Sequence, residues 1–319
     1  MRILVIKLAA LGDMVQAFPS FRRIRAAHPE AELHLLTTPP FVSLAKASGL
    51  FDRIDADGRP RTVLEHLKLF ARLRRERYDL VYDLQTSERS SSYFYALWPR
   101  QPAWSGIAKG CSLPHANPKR DFMHTLEREA EQLKFAGLWP DAPTAPGTAP
   151  PPDLAFMFAA PHADQQPAAF GLKAPYALLV PGASPLRPLK RWPAERYGVL
   201  ARDLAAAGMQ VAVVGGPGEA AIAEQIQQLA PKTISLCGRT DFAQVAALGD
   251  QAALCVGNDT GPTHLIAAAG APTLVLFGED SDPALCAPRG NRVRVVQRDP
   301  LATLEPETVL KEAHTLSIA

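Results

Sequence analysis

Apolar residues along this chain fall into two recurring patterns. Short continuous runs, "RILVIKL", "ELHLLTT" and "YDLVYDL" in the first half and "YALLVPG", "MQVAVVGG", "TISLCG", "AALCVGN" and "PTLVLFG" in the second, are what parallel strands covered on both faces give. Between them lie segments with apolar positions at helical spacing: 13–28, 61–77 and 121–137, then 193–207, 217–229, 241–249, 260–269 and 305–316. Strands alternating with helices of this length predict βαβ units with right-handed crossovers, hence parallel sheets. Residues 139–175 interrupt the pattern with "WPDAPTAPGTAPPPDL", a proline density that breaks helices and removes ladder donors, so a linker or irregular edge is expected there. The pattern predicts an α/β protein of two Rossmann-like parallel-sheet domains facing a central cleft. Residues 1–155 form the first and 170–300 the second, with a last helix in 301–319 expected to pack back across the hinge.

Composition narrows the class. The chain has 319 residues, 47% hydrophobic and 21% charged, enough for two domains with full cores. No apolar run approaches a membrane span, and Lys7 and Asp13 interrupt the N-terminal stretch where a signal peptide needs an unbroken apolar region, so a cytoplasmic location is expected. Cys111, Cys237, Cys255 and Cys286 lack CxxC or His-rich spacing, which favours free thiols over disulfides or zinc. The net charge of +2 argues against bulk nucleic-acid binding, but residues 1–140 carry 21 Lys/Arg against 15 Asp/Glu and the remainder 13 against 17. The first half therefore prefers an acidic partner, or else simply presents a solvated basic face.

The candidate chemistry sits where strands give way to helices, the edge at which open α/β sheets bind ligands. "KLAALGDMVQAFP" lacks GxGxxG, which disfavours a dinucleotide. It offers Asp13 at the head of a helix, either a first-turn cap or a catalytic carboxylate. "PGASPLRPLKRWP" supplies the amides of Gly182 and Ala183, the hydroxyl of Ser184 and the cation of Lys190, a set suited to a diphosphate. "GGPGEAA" places Glu219 where it can accept from ribose hydroxyls. In "GNDTGPTHLIAAAG" Thr260 and the amides after Asp259 open a helix and can meet phosphate oxygens, Asp259 suits sugar hydroxyls or an orienting role, and His264 is within reach of the same place. Two DxD triplets, Asp55–Asp57 and Asp280–Asp282, lie in a short turn and beyond the final predicted sheet strand, which argues against a metal role.

Taken together, "ILVIKLAALGDMVQAFP", "PGASPLRPLKRWP" and "GNDTGPTHLIAAAGAPTLVLFG" resemble the ADP-heptose:lipopolysaccharide heptosyltransferase family, glycosyltransferase family nine; "RYDLVYDLQ" and "HTLEREAEQL" extend the resemblance over nearly the whole chain. The resemblance implies a GT-B fold and inverting, metal-independent transfer of L-glycero-D-manno-heptose from ADP-heptose to the inner core of lipopolysaccharide, with no cofactor. It implies Asp13 as catalytic carboxylate, Lys7 on the acceptor side, and Ser184, Lys190, Glu219, Asp259, Thr260, Gly261 and His264 on the donor. The loop "ASPLRPLK" is longer than the corresponding loop of familiar members. Lys109, Lys119, Arg120 and Arg128 are the further basic residues expected to face an anionic sugar–lipid acceptor, which leaves room for peripheral contact with the inner membrane surface. Two other readings fit the same fold: a nucleotide-sugar epimerase, which needs no acceptor surface, and a non-catalytic nucleotide-sugar-binding protein.

Overall fold

The computed structural model describes residues 1–159 and 162–318, and it divides into two compact units, Met1–Pro150 and Pro151–Ala319. The division falls inside the proline-rich segment. That segment carries only short 3-10 turns at Ala155–Met157, Ala163–Gln165 and Pro167–Phe170 among its described residues.

The first unit is a parallel sheet of β1 (Arg2–Ile6), β2 (Glu32–Leu36), β3 (Arg53–Asp55), β4 (Leu80–Asp83), β5 (Ala103–Gly106) and β6 (Leu113–Pro114), in the order β3-β2-β1-β4-β5-β6. Its helices are α1 (Leu11–Gln16), α2 (Phe18–Ala27), α3 (Val42–Ala47), α4 (Val63–Glu76), α5 (Glu88–Ala96) and α6 (Thr125–Phe135). The single helix expected over 13–28 is two. Pro19 lies in the first turn of α2 and cannot donate to the carbonyl four residues back, so α1 ends at Gln16. Because α1 begins at Leu11, Asp13 is its third residue.

The second unit repeats the design with β7 (Tyr176–Val180), β8 (Gln210–Val213), β9 (Ile234–Ser235), β10 (Leu254–Asn258), β11 (Thr273–Phe277) and β12 (Val293–Gln297), ordered β12-β11-β10-β7-β8-β9. Counted from its own first strand, each sheet runs 3-2-1-4-5-6, the Rossmann order, whose reversal point lies between the first and fourth strands. The helices are α7 (Ala194–Ala206), α8 (Ala220–Leu229), α9 (Phe242–Gln251), α10 (Gly261–Ala269), α11 (Pro283–Cys286) and α12 (Pro306–Ile318). Pro193 caps α7 from one position outside the expected first turn. Helix α12 packs within the second unit, where Val309, Ala313 and Leu316 join Trp192, Leu200 and Leu204 in the core.

Strand register aligns the edges that matter. Ile6 pairs with Asp83, and Gly257 with Val180, so the chain leaves each reversal point at one level on both strands. Gly257 permits this approach: a Cβ there would stand 2.4 Å from Thr263 Oγ1 and 2.9 Å from Val180 Cβ. Among the described residues, no helix is long and apolar enough to cross a membrane.

Candidate active site

At the reversal point of the second sheet, Asn258 ends β10 fully buried and uses its whole amide. Its Nδ2 donates to Pro181 O at 2.7 Å and Gly182 O at 3.3 Å, and its Oδ1 accepts from Trp192 N at 3.2 Å and Tyr197 Oη at 2.9 Å. This one side chain therefore staples the loop after β7 to the end of β10. Any replacement strands several buried polar groups, each at about 1–3 kcal/mol.

With that loop fixed, Lys190 reaches Asp259: Nζ donates to Oδ2 at 2.5 Å, while His264 Nε2 lies 3.2 Å from Oδ1. The Cys286 thiol donates to Asp259 Oδ2 at 3.7 Å. Asp259 is 7% exposed. Burial alone would raise its carboxyl, but the hydrogen bonds and charges of His264 and Lys190 outweigh burial and hold it well below the usual carboxylate range. Beside this cluster, α10 opens at Thr260, whose side chain makes no cap hydrogen bond. The amides of Gly261 and Thr263 have no intrahelical acceptor there, so positive potential and unused donors coincide.

The turn after β8 joins from the other side. Glu219 lies over both glycine turns, with its Cγ 2.8 Å from where a Cβ of Gly182 would be and its Cβ 2.8 Å from that of Gly215. Since β10, β7 and β8 are neighbours in the sheet, the turns carrying Asp259, Lys190 and Glu219 are adjacent at one edge. Ser184 stands apart: it is exposed at the loop tip, and its Oγ accepts from Leu186 N at 3.3 Å within its own turn.

The reversal point of the first sheet carries a second polar group. Asp13 is half-buried, and its Oδ2 accepts from Ala10 N at 2.8 Å, so the capping arrangement exists and engages one oxygen. Gln85 Oε1 accepts from Leu8 N at 2.7 Å and Ala9 N at 3.2 Å, so residues 8–10 all give their amides to side chains. Lys7, the acceptor-side lysine that the resemblance implies, is a buried and paired cation. It is 4% exposed, and its Nζ donates to Glu129 Oε1 at 2.6 Å and Leu84 O at 3.2 Å.

Asp83 is wholly buried beside it. Burial pushes its carboxyl up to about 6 against hydrogen bonds from Ser90, Thr86 and Gln85 and the charge of Lys7. Arg120 comes to the same edge: its guanidinium donates to Thr86 Oγ1 at 2.9 Å, Asp121 Oδ1 at 2.6 Å and His115 Nδ1 at 3.4 Å. Thr86 itself is held at φ 44°, a strained conformation for a β-branched residue. Lys109 and Lys119 are exposed, and Arg128 is half-buried.

The aspartates of the first DxD triplet are engaged by a cation, since Arg72 donates to both Asp55 and Asp57. In the second, Asp282 caps α11 by accepting from Ala284 N at 2.8 Å. No disulfide joins the four cysteines, of which Cys111 and Cys255 are buried and Cys237 and Cys286 half-buried. The roles of Asn258, Gln85 and Glu129 emerge only from the fold. The signal for Glu129 was present in "HTLEREAEQL", where a helix buries Glu127, Glu129 and Gln132 together.

Residues 66–314 match the sequence model of glycosyltransferase family 9 (heptosyltransferase). The chain is 27% identical to lipooligosaccharide heptosyltransferase 2 of Haemophilus ducreyi, across 93% of this chain and 88% of that protein. The fold resembles that of Escherichia coli ADP-heptose lipopolysaccharide heptosyltransferase II, with a TM-score of 0.81 at 24% identity covering 100% and 99% of the two chains. It also resembles E. coli heptosyltransferase WaaC solved with ADP-2-deoxy-2-fluoro heptose, with a TM-score of 0.74 at 20% identity over 99% of each chain.

Proposed function

Because the chain belongs to glycosyltransferase family 9, the heptosyltransferases, we propose that it moves heptose from ADP-L-glycero-D-manno-heptose to a lipopolysaccharide core acceptor, with inversion and without a metal. The observation that carries this reading is the Lys190–Asp259–His264 cluster at the open end of α10, flanked by the turns after β7 and β8. Lys190 and the α10 amides suit the diphosphate, Glu219 the nucleoside ribose, and Asp259 the sugar hydroxyls while it orients Lys190. The E. coli enzyme bound to a fluorinated ADP-heptose supports an ADP-linked donor.

In this mechanism the acceptor hydroxyl attacks the anomeric carbon from the face opposite the diphosphate, the bond to ADP breaks, and Asp13 takes the hydroxyl proton. The free oxygen of Asp13 serves as the base while the other keeps its hydrogen bond to Ala10. Positive charge on Lys190 and the helix amides stabilise the departing ADP. Arg120 meets anionic groups of the acceptor, and Lys7, neutralised by Glu129, positions the loop that carries Asp13.

Metal independence has a direct test. Turnover in EDTA should equal turnover in magnesium, because the chain's own cations stabilise the leaving group; abolition by EDTA with rescue by Mg²⁺ or Mn²⁺ would overturn this part of the reading.

A further inference from the structure

Helix α4 has an outward face that water does not explain. Leu69 and Leu73 point into the first unit's core, whereas Val63, Leu64 and Leu67 on the other side are 77%, 61% and 60% exposed. Ala71 continues this side at helical spacing, and the cations Lys68, Arg74 and Arg75 share it. The acids of the helix offset them little: Glu76 Oε1 lies 4.0 Å from the Arg75 guanidinium, but that carboxylate is shared with two other arginines. Glu65 accepts from Arg61 N at 2.6 Å at the helix start, and Glu76 pairs with Arg2 and Arg53. From residue 59 to 77 the chain holds seven basic and two acidic residues.

The far end of the same face borders an open groove of about 1240 Å³, lined by Ala71, Arg74, Arg75, Arg77, Arg100 and Trp98 among others. Trp98 is 70% exposed, whereas Trp104 and Trp192 are buried. Arg77 ends α4 at φ 48°, a left-handed position where glycine is the unstrained choice. The chain thus keeps a cation there against backbone preference.

We infer that this face of the first unit, α4 with Trp98, docks on the surface of an anionic phospholipid bilayer. Exposed aliphatic side chains flanked by Lys and Arg, with no unengaged acid between them, are the pattern of a helix lying in a membrane interface. A tryptophan beside arginines matches the depth of lipid headgroups. Charge complementarity selects the bilayer over a second copy of the chain, since a two-fold contact through this face would set the arginines of one copy against those of the other. Connection through a parallel sheet makes α4 run antiparallel to the strands, so its apolar start lies toward the carboxyl edge that bears Asp13. Docking would bring that edge to where a lipid-linked acceptor is found. Vesicle binding needs no sugar, so the inference stands or falls apart from the donor reading.

The test is flotation of the full chain with vesicles of phosphatidylcholine, with and without phosphatidylglycerol. Binding should require phosphatidylglycerol and weaken with salt, and brominated lipid should quench fluorescence in the wild type but far less in Trp98→Phe. Each cation near an anionic leaflet contributes about a fivefold change in binding, so Arg74→Ala with Arg75→Ala should weaken it by roughly 10- to 30-fold. Arg77→Gly should weaken it about fivefold while leaving the fold as stable or more so, which separates lipid contact from unfolding. Leu64→Ser with Leu67→Ser should release the chain from vesicles while transfer to a delipidated core acceptor stays unchanged. Equal binding to both vesicle types, binding unaffected by these variants, or a solution dimer abolished by the Leu64 and Leu67 changes would overturn the inference.

Discussion

Asp13→Asn should lower kcat by roughly 10²–10⁴ while the melting temperature and ADP affinity barely move. The structure explains why the two effects separate. The carboxamide oxygen of asparagine can keep the hydrogen bond from Ala10 N, and the loop before α1 is held independently by Gln85, so the substitution should cost under about 1 kcal/mol. What the amide cannot do is accept the acceptor's proton. If the variant binds donor and transfers sugar at near the wild-type rate, Asp13 is a cap and no more.

Lys190→Ala should have the second largest effect, because the ammonium has two tasks. It is the cation expected at the diphosphate, and charge-assisted hydrogen bonds of about 1.5–3 kcal/mol translate to roughly 10- to 150-fold in kcat/KM for the donor. The acceptor's KM should change much less. Lys190 also helps keep buried Asp259 ionised. A carboxyl held below its unfolded value stabilises the fold above that value, near pH 4, and the contribution is lost as pH falls through the lower folded one. The variant's smaller depression should leave it less stable than wild type at neutral pH, with the two stabilities converging in acid. Paired kinetic and urea-unfolding measurements separate these roles; an unchanged donor kcat/KM would remove Lys190 from the donor site.

The central strands were readable because burial on both faces leaves continuous apolar runs: β1, β4, β7, β10 and β11 all coincide with them. Strands β3, β5, β6 and β12 were not foreseen. They are short or lie at sheet edges, and Arg53, Asp55 and Arg294 alternate with apolar residues on half-exposed backbone, where no continuous run can form. Helices α3, α5 and α11 escaped for a related reason, since four to nine residues give too little periodicity to register. At the site, though the direct bonds of Lys190 and His264 to Asp259 emerge only from the packing, the grouping of these residues at one edge followed from which turns share it. The burial of Lys7 did not. Its partner Glu129 is 122 residues away in sequence, and only the packing of α6 against the first sheet brings the two charges together. Asn258 was visible as an odd polar residue closing an apolar strand, yet its role as a staple depends on Pro181, Gly182, Trp192 and Tyr197 converging in three dimensions.

The account rests on sugar transfer from an ADP-linked heptose, and product analysis tests it most directly. The purified chain is incubated with ADP-L-glycero-D-manno-heptose and a panel of truncated lipopolysaccharide core acceptors, and the products are weighed by mass spectrometry and their glycosidic configuration read by NMR. The expected result is one acceptor that gains a single heptosyl group of inverted configuration, with one ADP released per transfer. Free heptose, an epimerised nucleotide sugar, or intact donor in the presence of every acceptor would contradict it.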